Sequence, residues 1–263
     1  MFFSKSNHLA TLAILFICTY SCMPDIYDIK KLNPVTFVSL GPGDAELITV
    51  KGLRILKQAD IVFCPSTNTF KGNTVSRSKE ILLELGVNEA KITMFNVPMN
   101  KDRLQAIKCY EDVASEVEKC YEKGYKTVIV AEGDAGFYST IHYICDNLTL
   151  NKIPTERIAG IPAFIACGAL ANIHIAKQEE ELVVIPGIIT SEDLKKKIDA
   201  RKPIVIMKPS QSEAALKQAI VMTENAGIHY FENVGVEEKE FYTQNKTEII
   251  RRKFPYFSLL IIV

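Results

Sequence analysis

Short apolar runs rich in β-branched residues alternate along this chain with longer segments whose apolar positions recur every three or four residues. The short runs are typical of buried strands, and the longer segments are typical of helices with one face on a core. Strands are predicted over residues 35–40, 61–64, 126–131, 182–186 and 204–207, and helices over residues 49–59, 76–85, 101–122, 140–148, 163–171, 192–200 and 211–223. This alternation predicts an α/β fold.

A polar stretch at residues 172–181 interrupts the apolar rhythm and predicts a junction between two domains, residues 35–175 and 176–263. Beyond the junction come further extended segments at 229–234, 240–242 and 257–263, which indicate a mixed sheet in the second domain. The chain has 263 residues and is 48% apolar, so it is long enough to bury a full core.

Three glycine-bearing turns are spaced along the chain, all before predicted helices and the first two directly after predicted strands: Gly41-Pro42-Gly43-Asp44, residues 132–139 and residues 159–163. Glycine permits a positive φ and a close approach of the backbone to a bound molecule. A single sequence of this kind usually forms an ordinary tight turn without a ligand. Three of them in this order indicate one ligand pocket. Glu46 follows the first pair of glycines where a dinucleotide fingerprint would have its third glycine, which argues against a Rossmann site.

From about residue 35 to residue 263, this order of turns resembles the tetrapyrrole (corrin and porphyrin) methylase family. Residues 38–49 carry the likeness in the first turn, and Glu132-Gly133-Asp134 with residues 137–140, 206–208 and 256–260 are most similar to the precorrin-2 C-20 methyltransferase branch. Ala135, Ala159 and Pro162 depart from the family's usual residues. Backbone contacts survive the change at position 162, whereas a side-chain hydroxyl contact does not.

The resemblance implies two α/β domains of the tetrapyrrole methylase type, with a ligand trough between them. It implies S-adenosyl-L-methionine as methyl donor, and precorrin-2 or cobalt-precorrin-2 as a substrate methylated at carbon 20 in cobalamin biosynthesis. It also implies a homodimer. Methylation at another ring position or of diphthine would use the same fold, and a membrane-anchored tetrapyrrole-binding protein is an alternative of a different class.

By the same resemblance, one set of residues would bind the donor, those of the second turn holding its methionine and ribose portions and those of the third touching it through backbone. The set is Pro42, Gly43, Gly133, Asp134, Phe137, Pro162, Ala163 and Met207. Met207 would lie against the adenine, or would be an ordinary strand core residue.

A ring carbon that gains a methyl group must lose or redistribute a proton, so a general base would help. Glu132 is a candidate, and it is equally a candidate for a capping or salt-bridging role. His142 would lie one helical turn beyond Tyr138, where it could face the pocket or be structural. Possible partners for substrate carboxylates are Arg54, Lys71, Arg77 and Lys208. No metal is required by this chemistry.

The charge and the cysteine content of the chain limit which classes of binding partner and which cellular compartment are expected. Thirty-one basic residues balance thirty-one acidic ones without a dense basic cluster, so no nucleic-acid partner is expected. There are seven cysteines, and those from Cys64 onward form no Cys-x-x-Cys pair and no metal-ligand spacing with histidine. Reduced thiols in a cytoplasmic protein are the expectation.

The amino-terminal extension, residues 1–34, points in a different direction. Its apolar run at 9–18 is too short to span a bilayer but long enough for a signal-peptide core, and Cys22 follows a loose lipoprotein cleavage pattern. The favoured interpretation is that translation begins at Met23, with a cytoplasmic product and no membrane partner. A lipoprotein or a secreted protein is the alternative.

Overall fold

The computed structural model describes residues 32–68, 74–98 and 103–263. The described residues from Asn33 to Val263 belong to one compact unit. Cys22, Met23 and the apolar run before them lie outside the described residues. Within the described ranges, no helix combines the length and the apolar content needed to cross a membrane.

The first sheet is built mainly from parallel strands, in the order β4-β2-β5-β1-β6, and β3 pairs antiparallel with the end of β2. Its strands are β1 (Val35–Ser39), β2 (Ile61–Asn68), β3 (Thr74–Val75), β4 (Ile92–Asn96), β5 (Thr127–Ala131) and β6 (Thr155–Ile158). Five helices belong to the same part of the chain: α1 (Val50–Gln58), α2 (Arg77–Glu84), α3 (Arg103–Glu122), α4 (His142–Leu150) and α5 (Ala163–Leu170).

Side-chain alternation along β1 shows how helices cover both faces of this sheet. Phe37 lies in a core with residues of α3 and α4, whereas Val38 packs into a second core with residues of α1 and α2. Successive strand residues point to opposite faces, so a strand buried on both sides carries apolar residues on both faces. The mainly apolar run that predicted β1 therefore reflects a doubly covered parallel sheet.

The second sheet is mixed, in the order β10-β9-β11-β8-β7, with only β7 and β8 parallel. Its strands are β7 (Val183–Ile185), β8 (Ile204–Met207), β9 (Ile228–Glu232), β10 (Phe241–Thr243) and β11 (Ser258–Ile262), and its helices are α6 (Ser191–Asp199), α7 (Glu213–Val221) and α8 (Lys246–Arg251). Helices α6, α7 and α8 bury residues in the core on one face. Phe164 and Cys167 of α5 pack on the other.

The predicted α/β fold, its main strands and the mixed second sheet are confirmed, whereas four elements were missed. The strands β3, β4 and β6 and the helix α8 are present without having been predicted. The helix predicted over 140–148 begins two residues later, at His142. The helix predicted over 211–223 is α7 preceded by a 3₁₀ turn. The domain boundary at 175/176 stays a prediction.

Ser39, the last residue of β1, links the first predicted turn to the other two through its side-chain hydroxyl. Its buried hydroxyl donates to the carbonyl of Ile158 at 2.7 Å and accepts from the N–H of Ala135 at 2.8 Å. These bonds join the end of β1 to the turns that follow β6 and β5. The hydroxyl therefore satisfies a buried backbone N–H that has no place in a strand ladder.

Ser39→Ala should reduce the free energy of unfolding by about 1–3 kcal/mol, because it leaves the buried N–H of Ala135 unpaired. Urea denaturation of the variant and the parent measures the loss. Ser115→Ala is the control, since that exposed hydroxyl on α3 only bonds back to the carbonyl of Glu111, and it should change stability by less than about 0.5 kcal/mol. Equal effects of the two changes would contradict the assigned role of Ser39.

Candidate ligand-binding site between the two sheets

The three glycine turns meet at one edge of the first sheet. They follow β1, β5 and β6, and β1 pairs in parallel with both of the others, so their carboxyl ends lie side by side. The backbones of Gly41 and Gly133 exchange two hydrogen bonds, of 3.1 and 2.6 Å. The prediction that these turns come together is therefore confirmed.

Gly133 has the geometry of a position open to a ligand. Its φ is +68°, a value that residues other than glycine adopt only with backbone strain. A Cβ added at Gly133 would meet no protein atom within 4 Å. Gly160 differs, because its Cβ would lie 2.3 Å from the Cβ of Ser39. Glycine at position 160 thus serves close packing, whereas at position 133 it keeps space free.

The carboxylate of Asp134 holds the second turn to the third. One oxygen accepts from the N–H of Gly136 at 2.8 Å, and the other accepts from the N–H of Gly160 at 2.7 Å. The implied contact of Asp134 with the donor stays a prediction, and its side chain has an evident structural role as well.

A cavity of about 640 Å³ opens beside these turns, within the range of about 300–1,000 Å³ typical of small-molecule sites. Residues that follow strands of both sheets line it. Of the residues singled out from sequence, Pro42, Glu132, Gly133, Asp134, Phe137, Pro162, Ala163 and Met207 are in its wall. Met207 also packs against the core that includes α5, so both of its predicted roles are compatible with its position.

Gly43 is not among the residues that line this cavity, and it packs instead against the loop after β9. A Cβ at Gly43, where φ is +140°, would lie 1.8 Å from Nη2 of Arg77 and 2.9 Å from the carbonyl oxygen of Val234. A Cβ at Gly235 would lie 2.5 Å from the backbone N of Asp44. The first turn and the β9–β10 loop thus meet backbone to backbone at a seam between the two sheets.

Arg77, at the first position of α2, bonds across that seam. Its Nη2 donates to the carbonyl of Pro42 at 3.2 Å and to that of Val234 at 2.8 Å, and its Cζ lies 5.1 Å from the ring centroid of Phe257. Its Nε is buried without a hydrogen-bond partner among the described residues. Arg77 is therefore a cavity residue and also a link between the two halves.

Glu132 directly follows β5 and enters the cavity wall beside Arg77. The hydroxyl of Ser78 donates to its Oε1 at 3.1 Å. Burial raises the pKa of Glu132, and the charge of Arg77 and the hydrogen bonds from the hydroxyl and the backbone N–H of Ser78 offset only part of that effect. Burial, together with the charge of Glu132, also raises the pKa of Tyr256, another cavity residue, so this phenol keeps its proton.

Of the remaining side chains proposed from sequence, some line the cavity and others lie outside it. His142 is exposed and outside the cavity lining, and its Nδ1 lies 2.9 Å from the carbonyl of Ser139, so the structural role predicted as its alternative is the one observed. Arg54 is exposed and likewise outside the lining. Lys208 is in the lining, with Nζ 6.0 Å from the ring centroid of Tyr256. Lys71 lies outside the described residues.

Three cavity residues other than glycine have left-handed backbone conformations: Tyr138, Lys208 and Asn233, with φ near +50°. Such conformations cost free energy and are frequent at binding sites. Sequence reasoning missed Tyr138 and Asn233 as site residues, because a positive φ at a residue other than glycine leaves no pattern in the sequence. In the ranges that the structure covers, no cluster of three His, Cys, Asp or Glu side chains could hold a metal ion.

Comparison with known proteins identifies the family. The model of the Tetrapyrrole (Corrin/Porphyrin) Methylases matches residues 34–250. The chain belongs to the tetrapyrrole methylase family. This methylase is 27% identical to a precorrin-2 C(20)-methyltransferase of a Sinorhizobium species, over 86% of the chain and 93% of that protein. It is 31% identical to a probable cobalt-precorrin-2 C(20)-methyltransferase of Methanocaldococcus jannaschii, over 68% of the chain and 74% of that protein.

Solved structures support the two-domain α/β architecture of the methylase. A cobalt precorrin-4 methyltransferase superposes with a TM-score of 0.66 at 16% identity, covering 87% of this chain and 93% of its own. A uroporphyrin-III C-methyltransferase from Thermus thermophilus, solved in complex with S-adenosylhomocysteine, superposes with a TM-score of 0.59 at 15% identity, over 88% of this chain and 97% of its own. At these identities the likeness establishes the fold.

Gly43→Ala should destabilise the methylase by roughly 3 kcal/mol or more, because the new methyl group adds overpacking at the seam to the strain of a positive φ. Gly86→Ala is the matched control: it also has a positive φ, +74°, but its added Cβ meets nothing within 4 Å. The control should lose only about 1–2 kcal/mol. Chemical denaturation compares the two, and similar losses would show that the seam is not tightly packed at Gly43.

Proposed function

We propose that this methylase transfers a methyl group from S-adenosylmethionine to carbon 20 of precorrin-2 or cobalt-precorrin-2, a step of cobalamin biosynthesis. The substrate and the position of methylation rest on the two C(20)-methyltransferases, which match most of the chain. The donor rests on one observation above all, which is the open backbone of Gly133 on the cavity wall.

The residues of the turns fit the donor chemically. The bare backbone at Gly133 leaves room for a ligand to approach closely, and Pro162 and Ala163 present backbone groups on the same cavity wall. Phe137 and Met207 supply apolar surface there. When bound, the donor supplies a methyl group already activated by its sulfonium. The work left to the protein is to align the two reactants and exclude water, which can contribute about 7–11 kcal/mol in favourable cases.

The rest of the cavity suits a flat, anionic macrocycle. Tyr138, Tyr256 and Phe257 offer aromatic surface, and Lys208 and Lys239 bring positive charge to the lining. The acetate and propionate groups of the substrate need cationic or amide partners. We assign these groups to the end of the cavity that contains Lys208 and Tyr256.

Further proposals concern assembly and location. The protein is proposed to be a cytoplasmic homodimer without a nucleic-acid partner, with domains 35–175 and 176–263. Its donor and its reduced substrate belong to the cytosol, and its charges balance. Light scattering of the purified protein tests the dimer, and recovery of the native protein from membranes with a lipid on Cys22 would overturn the location.

The reaction is tested with purified protein, S-adenosylmethionine carrying a ¹³C-labelled methyl group, and precorrin-2 in metal-free and cobalt-loaded forms. One methyl group should be added to at least one form, and the labelled carbon should be located at carbon 20 by NMR. Label at another ring carbon would identify a sibling activity of the family. Donor binding without transfer to either macrocycle would contradict the proposed substrate.

Gly133→Ala should weaken binding of S-adenosylhomocysteine at least tenfold in calorimetry, because the methyl group extends into space that the ligand would occupy. The protein should still fold, since that methyl group meets no protein atom. Gly86→Ala again controls for backbone strain and should bind as the parent does. Parent-like affinity in the Gly133 variant would remove Gly133 from the donor site.

A further inference from the structure

We propose that Glu132 is the base that accepts the proton from the methylated ring carbon. In this proposal Arg77 is a positioning residue, whose positive charge favours the ionised form of Glu132. This inference rests on the proposed function. The ring carbon forms its new bond to the methyl group as the methyl–sulfur bond breaks and its electron pair stays on sulfur. The C–H bond of the same carbon then breaks, its electrons return to the ring, and the proton moves to the carboxylate of Glu132.

A second buried glutamate in the same protein shows what a structural carboxylate looks like here. Glu232 accepts two bonds from Arg252, at 2.8 and 3.0 Å, and one from the hydroxyl of Tyr230 at 2.7 Å. Burial alone would raise its pKa, but these bonds outweigh burial and lower it. The hydrogen bonds and the charge of Arg252 therefore hold Glu232 in its charged form, and it lies outside the cavity lining.

Glu132 contrasts with Glu232 at each point. It is in the cavity wall, and the hydrogen bonds it accepts come from one residue, Ser78, through the hydroxyl and the backbone N–H. Among the ion pairs of the described ranges, none joins it to Arg77. A carboxylate that no arginine or lysine pairs with keeps lone pairs available for a proton. Of the two roles open to Glu132, this setting favours proton transfer over a purely structural one.

Arg77 lies near Glu132 without neutralising it, because its guanidinium is engaged elsewhere. Nη2 is committed to two carbonyls across the seam, and the buried Nε has no partner in the part of the chain that the structure describes. The guanidinium thus contributes a fixed positive charge beside Glu132, rather than a bidentate ion pair. That charge favours the ionised form of Glu132 and offsets part of the effect of burial on its pKa, without occupying its oxygens.

Other titratable groups act on Glu132 from the elements around it. Glu80, on α2 like Arg77, disfavours its charge. Cys64 on β2 and Tyr256 before β11 both have raised pKa values, chiefly because of burial and in part because of Glu132. Lys208 lies over the Tyr256 ring. Burial is the largest influence on Glu132 and favours its neutral form, so uptake of a proton from the substrate relieves a buried charge.

The first test is Glu132→Gln in the full-length protein, with metal-free and cobalt-loaded precorrin-2 as substrates. We expect kcat to fall at least 100-fold while the affinity for S-adenosylhomocysteine in calorimetry stays within twofold of the parent. With substrate deuterated at carbon 20, the residual turnover should show a primary isotope effect, because proton removal has become limiting. The control is Glu156→Gln, which removes a half-exposed carboxylate paired with Lys51 outside the cavity and should leave kcat unchanged.

The second test is the dependence of kcat on pH. Activity should rise with pH as Glu132 loses its proton, which gives the pH profile of kcat an acid limb. Arg77→Gln removes the positive charge that favours ionisation of Glu132, so this limb should move to higher pH. Arg77→Lys restores the charge and should return the limb toward its position in the parent. Lys79→Gln removes the same charge from α2 outside the cavity, where Lys79 pairs with Glu89, and should not move the limb. Thermal melting confirms that each variant is folded.

A third readout needs no substrate. Because burial raises the pKa of Glu132 in the folded state, its contribution to stability is full below its unfolded pKa and is lost as pH rises through the folded value. Glu132→Gln should therefore match the parent in acid and be more stable than the parent at neutral and alkaline pH. Equal unfolding free energies at all pH values would overturn the assignment of a buried, weakly paired carboxylate.

The outcomes separate this inference from the proposed function. If the parent protein adds no methyl group to either macrocycle, the proposed function fails, and with it the reaction to which Glu132 was assigned. If the parent is active and Glu132→Gln turns over at the parent rate with an unmoved pH limb, the function stands and the inference about Glu132 is wrong.

Discussion

The hydrogen bonds that tie three loop backbones together are the constraint on which the cavity depends. Ser39 joins the end of β1 to the turns after β5 and β6, and the carboxylate of Asp134 joins those two turns to each other. Gly41 and Gly133 add a direct backbone link. Because parallel neighbours end at the same edge, short polar side chains are enough to hold the turns, and the glycine backbone at position 133 stays uncovered.

The second half of the site is supplied by a sheet of different construction, and α5 is the element that connects them. This helix begins at the third turn and buries Phe164 and Cys167 against the second sheet. Met207 at the end of β8 is thereby brought to the same cavity as Gly133. Arg77 and the close contact of Gly235 with the first turn add a second link between the two sheets. The two halves of the cavity wall are thus joined by the chain itself at α5 and by tight packing at the seam.

Much of this arrangement could be predicted from sequence where a local pattern carries the information. The central strands are mainly apolar because both faces are covered, and the three turns carry glycine. The strands that were missed have weaker sequence patterns. Both β4 and β6 are at the edges of the parallel part of the sheet, and β6 has the sequence Thr-Glu-Arg-Ile, which contains only one apolar residue. Helix α8 is six residues long and largely charged or polar.

The site residues that escaped prediction depend on contacts between distant parts of the chain. Nothing near Gly43 in sequence shows that Arg77 and Val234 occupy the space beside it. His142 has a plausible spacing for the cavity, but its ring bonds to the carbonyl of Ser139 three residues earlier. The contrast between Glu132 and Glu232 likewise depends on which carboxylate an arginine reaches with its donors, and that is decided by three-dimensional packing.

The position of α5 in the chain has a consequence for biosynthesis. Every residue of this helix, from Ala163 to Leu170, is apolar or glycine, and the surfaces that bury Phe164 and Cys167 include Val205, Phe231 and Leu259. The ribosome releases α5 before any of those strands exists. Until β11, the last of these strands to be synthesised, has emerged, the nascent protein carries an apolar helix that is not fully covered, a feature that chaperones recognise and that promotes aggregation. Emergence of β11 therefore ends the period in which α5 exposes apolar surface.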